Sequence, residues 1–418
     1  MINQKSIAAI SESHFGPFCK PLYGSYSFTR IPDTIQKLLL GHSKWPLPTD
    51  TIPDKTYDTV VLILIDCFGW RFFEKYADKF PFLTRFIDRG IVSKLTSQFP
   101  STTANHITCI HTGLTVGQSG VYEWFYYDPI VDDVICPLRF SYANDDDSNS
   151  LLAKGFTPEE LFPMQPIYPR LQNEGVRTCI FQPKEIVHSP YSAVMQQGAT
   201  ASGFKHLSEG LSNLKESILE AKEKNYFFLY YPEIDSLSHS HGPDSPKVEK
   251  LITKTFDQLE KFFRLTSGKK ENTALIVTAD HGMAAMDPAK CHFLNLLLPD
   301  LESKLKKTGR GTPIGYCGSS RDLFLHIQEP YLLGVQSEVK RQLSGIAEIY
   351  LTQELIEAGL FGPLPLSKQF LERVGNLVIL PYAPHSVWRS DVESSPYKGH
   401  HGGLSRQELE TIFLFQEL

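Results

Sequence analysis

No two of the seven cysteines (Cys19, Cys67, Cys109, Cys136, Cys179, Cys291 and Cys317) stand close together. That excludes a zinc knuckle, a CxxC redox pair and the dense disulfide framework of a small secreted domain. An odd, dispersed set reads as buried, reduced thiols in a reducing compartment. Long apolar runs are missing too, and nothing approaches the roughly 20 residues that a membrane-spanning helix needs. The first twenty residues lack the charged and apolar blocks of a signal peptide, so a cytoplasmic location is expected. Neither sign of charge dominates: 41 Lys and Arg against 47 Asp and Glu leave a net charge of −6. No basic footprint for a nucleic-acid polymer or an anionic membrane follows from that balance. A small phosphorylated substrate would have to be drawn in locally, by metals or a focused pocket. Internal repeats are absent, and the one low-complexity run, 144–150 (NDDDSNS), reads as a solvated loop.

What is present is length and strand signal. A chain of 418 residues exceeds the roughly 250–300 that one core usually fills, so a large domain with a smaller inserted one is expected. Short β-rich apolar runs occur at Thr59–Ile65 (TVVLILI), 226–231 (YFFLYY) and 274–277 (ALIV), the pattern of strands buried on both faces. Helical patterns at 72–89, 207–224 and 247–265 lie between them. The alternation predicts an α/β fold with a mostly parallel central sheet flanked by helices. The catalytic domain is expected over 1–283 and 385–418, with a smaller inserted α+β cap over 284–384. Within the cap the sequence predicts a helix near 292–306, a strand at 323–327 and a helix at 333–343. The chain is expected to rejoin the central sheet at 377–382.

In such sheets ligands bind beyond the carboxyl ends of the strands. The three runs each deliver an aspartate there: Asp66, Asp235 and Asp280. One such residue is usually a helix cap, but three with two adjoining histidines suggest metal ligands. Asp235 and His239 are spaced i, i+4, one helical turn apart. Asp280 and His281 are neighbours, and His400 and His401 sit in a glycine-flanked loop, Gly399-His-His-Gly-Gly403. Mixed carboxylate and imidazole donors suit zinc, or manganese where oxygen dominates. Several such sets fit a two-metal site that holds the attacking and leaving oxygens of a phosphoryl group. Thr102 and Thr103, in Ser101-Thr-Thr-Ala-Asn-His106 ahead of an amphipathic stretch, are candidate nucleophiles at a helix N-terminus, where anions are favoured. A helix cap is the competing use of either threonine.

At these residues the sequence resembles the alkaline phosphatase superfamily, nearest its nucleotide pyrophosphatase/phosphodiesterase (type I phosphodiesterase) branch. Asp66 resembles that family's strand-terminal metal aspartate. Asp235-Ser-Leu-Ser-His239-Ser-His-Gly242-Pro243 is similar to its Asp-x-x-x-His-x-x-Gly-Pro signature. Asp280-His281-Gly282-Met283 resembles its Asp-His-Gly-Met turn, and His401-Gly402 its last metal histidine. The resemblance implies two divalent ions, normally zinc with manganese as the alternative. One would be held by Asp235, His239 and His401, the other by Asp66, Asp280, His281 and the nucleophilic threonine. The interval to Thr112-Gly113 selects Thr103, whereas the following Asn-His selects Thr102. The resemblance further implies a phosphothreonine intermediate and hydrolysis of a phosphodiester or pyrophosphate bond in a small, nucleotide-like substrate.

One stretch departs from the family. Its phosphodiesterases carry a phosphate-binding asparagine after a His-Gly, where this chain reads Ser119-Gly-Val-Tyr-Glu-Trp124. Asn105 is the candidate to take over that role, and Trp124 the candidate to stack a base, with wall packing as the competing use of the 124–127 aromatics. A phosphomonoesterase or phosphonate hydrolase on the same metals is the alternative activity, and a metal-binding pseudoenzyme the different-class alternative. His106 and His111 are expected to pack, and His241 and His400 are rivals to the neighbouring proposed ligands. Arg321 is a candidate to reach a phosphate from the cap, or else a surface residue. No third acidic metal cluster is legible.

Overall fold

The computed structural model describes residues 1–390 and 397–418. Strand β1 (Thr59–Ile65) is buried along its whole length. Val60, Leu62 and Leu64 enter one apolar cluster, while Val61, Ile63 and Ile65 enter a second on the other side. With both faces covered there is no solvent side to carry polar residues, which explains the unbroken apolar run. Strands β2 (Ile91–Thr96), β3 (Val176–Pro183), β4 (Thr200–Phe204), β5 (Lys224–Tyr231) and β6 (Thr273–Thr278) join it. Four more strands, β7 (Cys317–Ser319), β8 (Asp322–Leu325), β9 (Ala347–Leu351) and β10 (Leu377–Pro381), form a second, antiparallel sheet in the order β7-β8-β10-β9. The last strand, β11 (Glu410–Glu417), completes the central sheet in the order β2-β11-β6-β1-β5-β3-β4. Only β11 runs against the other six. The α/β expectation of a mostly parallel sheet flanked by helices holds.

Three local expectations change. The helix expected over 72–89 is two helices, α1 (Trp70–Tyr76) and α2 (Pro81–Arg89). Phe80 is extended (φ −116°, ψ 121°), as the residue before a proline prefers. The helix expected near 292–306 is a short strand, Cys291–Phe293, and two single turns, Leu294–Leu297 and Leu301–Lys304. Leu298, at φ −131° and ψ 75°, leaves the helical region ahead of Pro299. The run 377–382 does not rejoin the central sheet: β10 pairs with β8 and β9, and the chain returns only at β11. An apolar run of that length fits either sheet, and the choice lies in its partners, since Ile379 stands opposite both Leu323 and Ile349. Of the expected 385–418 segment, 391–396 lie outside the described residues.

The remaining helices needed below are α3 (Thr103–Thr112), α4 (Leu207–Glu220), α5 (Glu233–His241), α6 (Pro246–Thr266) and α7 (Leu332–Gln342). The second sheet also alternates faces. Leu323, Leu325, Leu377 and Ile379 pack in an apolar cluster with Val335 and Val339 of α7. Phe324, Val378 and Leu380 belong instead to the main apolar cluster. The second sheet is thereby pressed against the body of the molecule, with the start of β8 near the carboxyl edge of the central sheet.

Candidate metal centre

β1 is the middle strand, and its neighbours β5 and β6 supply the other aspartates. Ile65 pairs with Tyr231 and Leu64 with Thr278, so the three parallel strands stop nearly level. Asp66 follows β1 directly, and its amide donates to the Tyr231 carbonyl at 3.0 Å. Asp280 follows β6, and its Oδ1 accepts from the amides of Cys67 (3.1 Å) and His281 (3.0 Å). Asp235 lies in the first turn of α5, and His239 one turn later. His401 arrives from the far end of the chain on the loop before β11. Gly402, at φ +120°, gives that loop a backbone shape that a side chain would resist.

The side chains converge. Asp66, Asp280 and His281 offer ligand atoms all within 4.8 Å of one another, and so do Asp235, His281 and His401. His281 Nε2 is 3.5 Å from Asp66 Oδ1 and 3.3 Å from Asp280 Oδ2. Asp235 is 3.4 Å from His239 Nε2 and 3.6 Å from His401 Nε2. The His281 and His401 rings stack with centroids 3.7 Å apart, so the two sets adjoin through these imidazoles.

Second contacts orient the donors. Nδ1 of His239, His281 and His401 donates to the carbonyls of Gly399, Gly282 and Ser101, each at 2.9 Å. A carbonyl only accepts, so each Nδ1 carries the proton and each Nε2 keeps its lone pair for a metal. On the carboxylates, Asp66 Oδ1, Asp235 Oδ1 and Asp280 Oδ2 are buried with no hydrogen-bond partner among the described residues. Three orphaned oxygens among three lone-pair nitrogens are donors of the kind that a divalent cation pair takes. The residues present fit that pair.

Electrostatics agree. Burial, followed by repulsion from Asp280 and Asp235, raises Asp66 well above the carboxylate range. Burial, followed by the neighbouring His281 and His239, pushes His401 well below the usual imidazole value. His239 goes the other way: burial opposes its charge, but the Asp235 carboxylate, the Gly399 carbonyl and Glu123 together outweigh it. Cations among these groups would relieve the repulsion between the acids and suit the neutral imidazoles.

The two threonines separate. Thr102 is the N-cap of α3 without a side-chain cap bond, and Thr103 is its first residue. Thr103 Oγ1 lies 3.3 Å from Asp66 Oδ2 and 3.2 Å from His281 Nε2. Tyr230, a residue with no polar signal in its apolar strand, donates to the same Asp66 oxygen at 2.6 Å. Sequence reasoning passed over it because a strand-end tyrosine reads as core.

Other candidates fall outside the cluster. Both amide hydrogens of Asn105 are committed, to the carbonyls of Pro100 (2.7 Å) and Tyr122 (2.9 Å). It braces two loops in place of offering a donor to phosphate. Trp124 is half-buried and its amide donates to the Glu123 carboxylate. His106 accepts from the Gln98 amide and holds the Thr102 carbonyl, and His111 meets the Tyr168 hydroxyl, so both pack as expected. His400 Nδ1 is engaged by the backbone of His401, and His241 faces Lys247 at the surface. Arg321 takes neither expected role. It is fully buried and bound to both oxygens of Glu408 at 2.9 Å, an ion pair that the separation of 87 residues concealed.

Comparison with known proteins adds a sequence and a structural finding. The pattern of the family described as type I phosphodiesterase / nucleotide pyrophosphatase matches residues 60–404. Ectonucleotide pyrophosphatase/phosphodiesterase family member 1 of Mus musculus is 25% identical over 260 residues, covering 58% of this chain and 26% of that protein. An uncharacterized pyrophosphatase/phosphodiesterase of Schizosaccharomyces pombe is 25% identical over 240 residues, 54% of this chain and 45% of the other. The chain thus spans between a quarter and a half of the length of these curated relatives. Among solved structures, murine ectonucleotide pyrophosphatase/phosphodiesterase 5 superposes with a TM-score of 0.63 at 19% identity, covering 85% of this chain and 87% of that one. It has also been solved as an inactive threonine-to-alanine form in complex with AMP. Phosphonoacetate hydrolase of Sinorhizobium meliloti 1021 superposes with a TM-score of 0.61 at 16% identity, covering 90% and 92%. No helix of the described residues is long and apolar enough to cross a membrane.

Proposed function

This chain belongs to the type I phosphodiesterase / nucleotide pyrophosphatase family of the alkaline phosphatase superfamily, and from that premise we propose that it hydrolyses a phosphodiester or pyrophosphate bond of a small, nucleotide-like substrate with Thr103 as nucleophile. The observation that carries the reading is the Thr103 hydroxyl, 3.3 Å from Asp66 and 3.2 Å from His281, beside the three orphaned carboxylate oxygens. Asp66, Asp280 and His281 would hold one divalent ion, and Asp235, His239 and His401 the other. Zinc suits this set of carboxylate and imidazole donors, with manganese second. Bound there, two cations supply Lewis acidity to the threonine hydroxyl and neutralise charge on the phosphoryl oxygens.

The chain's own groups do the rest. Asp66 Oδ2 accepts the Thr103 hydroxyl hydrogen and orients the oxygen, while Tyr230 fixes that carboxylate from behind. Thr103 at the first position of α3 stands where the helix's free amides favour an anion. Attack forms a Thr103 Oγ–P bond as the P–O bond to the leaving alcohol or phosphate breaks. Water then cleaves the phosphothreonine and restores the hydroxyl.

The AMP-bound murine neighbour supports a nucleotide-like substrate, and the phosphonoacetate hydrolase neighbour supports phosphonate cleavage as the second reading. The segment 284–384, with its own sheet, is the cap. Six buried, unpaired cysteines support a reducing, cytoplasmic setting. The test is a panel of aryl diesters, monoesters and phosphonates on metal-loaded protein, repeated after exhaustive chelation and on Thr103→Ala. Diester cleavage that both treatments abolish is expected. Full activity in the chelated protein would overturn the reading.

A further inference from the structure

Glu123 and Asp322 lie 199 positions apart, yet the structure brings their carboxyl groups into direct interaction beside Thr102. Glu123 is 1% exposed, Asp322 0% and Thr102 1%. One oxygen of each acid is accounted for: Glu123 Oε2 accepts from the Trp124 amide, and Asp322 Oδ1 accepts from the Ser319 hydroxyl. The others, Glu123 Oε1 and Asp322 Oδ2, are buried and have no hydrogen-bond partner among the described residues. Arg321, the neighbour of Asp322, is committed to Glu408 through two bonds of 2.9 Å. Two touching carboxylates cannot both stay ionised in a dry interior without a counter-charge. Burial, then repulsion from Glu123, raises Asp322 well above its usual range, and burial is the main cause that raises Glu123 to about 7.

We propose that Glu123 and Asp322, with the hydroxyls of Thr102 and Ser319, form a third cation site, one that takes a hard divalent ion such as Mg2+ or Mn2+. The donors are all oxygen, which sets the site apart from the imidazole-bearing pair and suits those ions. Two touching acids in a dry interior call for a positive charge between them, and the donors present suit a divalent ion. The cation joins three separated parts of the chain: the N-cap of α3, the turn at 123 and the start of β8. It clamps the second sheet to the helix that presents Thr103. Gly402 belongs to the same cluster, because a Cβ there would meet Asp322 Oδ1 at 2.5 Å and Ser319 Oγ at 2.7 Å.

The inference rests on the reading of Asp235, His239, His401 and their partners as a zinc pair, but the two fail separately. Metal analysis counts the zinc before any manganese is added, and the third ion is read as a difference between wild type and variants. Zinc-loaded wild-type protein is titrated with Mn2+ and the bound ion followed by electron paramagnetic resonance. One further equivalent is expected to bind, weakened at least tenfold in Glu123→Gln and in Asp322→Asn, with both zinc ions retained. Wild-type protein that takes up no manganese overturns the proposal, even if a variant fails to fold. Equal uptake by wild type and variants overturns it as well. A shared proton in place of the ion would appear as no manganese uptake together with a melting temperature that falls from pH 6 to pH 9 in wild type alone.

Discussion

The two proposed ligand sets differ in how the chain delivers them. Asp66, Asp280 and His281 follow two central strands directly, and their side chains are 0–2% exposed. Asp235 and His239 ride on α5 while His401 comes from the distant 399–403 loop, and their side chains are 14%, 18% and 9% exposed. The first set is built by the sheet itself, because strands in register end level. The second requires α5 and the 399–403 loop to meet, which the His239 bond to the Gly399 carbonyl secures. A site can therefore have one half fixed by the core and another fixed by closure of separate elements.

The largest effect is expected in the strand-end half. Thr103→Ala should lower kcat by three or more orders of magnitude, about 4 kcal/mol of transition-state free energy. Its stability should shift by less than about 1 kcal/mol, since Thr103 is the first residue of α3 and not its N-cap. Thr103→Ser should keep part of the activity. Rates and thermal midpoints of these variants decide the point, and a dead Thr102→Ala beside an active Thr103→Ala would move the nucleophile out of this half.

In the other half, His401→Ala should lose one metal ion and cut activity by more than the roughly 100-fold typical of a ligand's outer partners. His400→Ala should keep both ions, because its Nδ1 is held by the neighbouring backbone. Metal analysis of the two purified variants would reverse the assignment if the pattern were the opposite.

Substrate preference tests both halves together. The segment from Ser101 to Gly113 holds no Lys or Arg to absorb the extra charge of a monoester. An aryl phosphodiester should therefore show a kcat/KM at least about tenfold above the matching monoester, or ~1.4 kcal/mol. A monoester preference measured on the same metal-loaded protein would select the phosphatase reading, and activity on a phosphonate alone would select carbon–phosphorus cleavage.

The smallest effect concerns metal release. Timed chelation should remove ions in two phases, the faster by roughly fivefold, ~1 kcal/mol in the barrier. The fast phase belongs to the more exposed set, so it should be missing from His401→Ala. A single phase in wild type would erase the distinction between the halves.

Much of this was legible in one dimension. The runs that became β1, β5 and β6 are continuous because both faces are buried, and each carries its aspartate at or just past its end. Asp235 and His239 announce a shared helix face by their spacing. Three things depended on contacts that no local pattern encodes. The run at 377–382 has the same apolar character whichever sheet it joins, and its contacts with Leu323 and Ile349 placed it in the second. Asn105 has the right chemistry for phosphate but spends it on two carbonyls. Thr103 is told from Thr102 by the side of the helix start that faces Asp66. The parallel sheet and the residue types of the proposed metal ligands could be read along the chain, because burial periodicity and strand-end position are local properties. Which hydroxyl meets the acids, what Arg321 neutralises and where Glu123 meets Asp322 emerged with the fold, because those contacts form when distant segments come together.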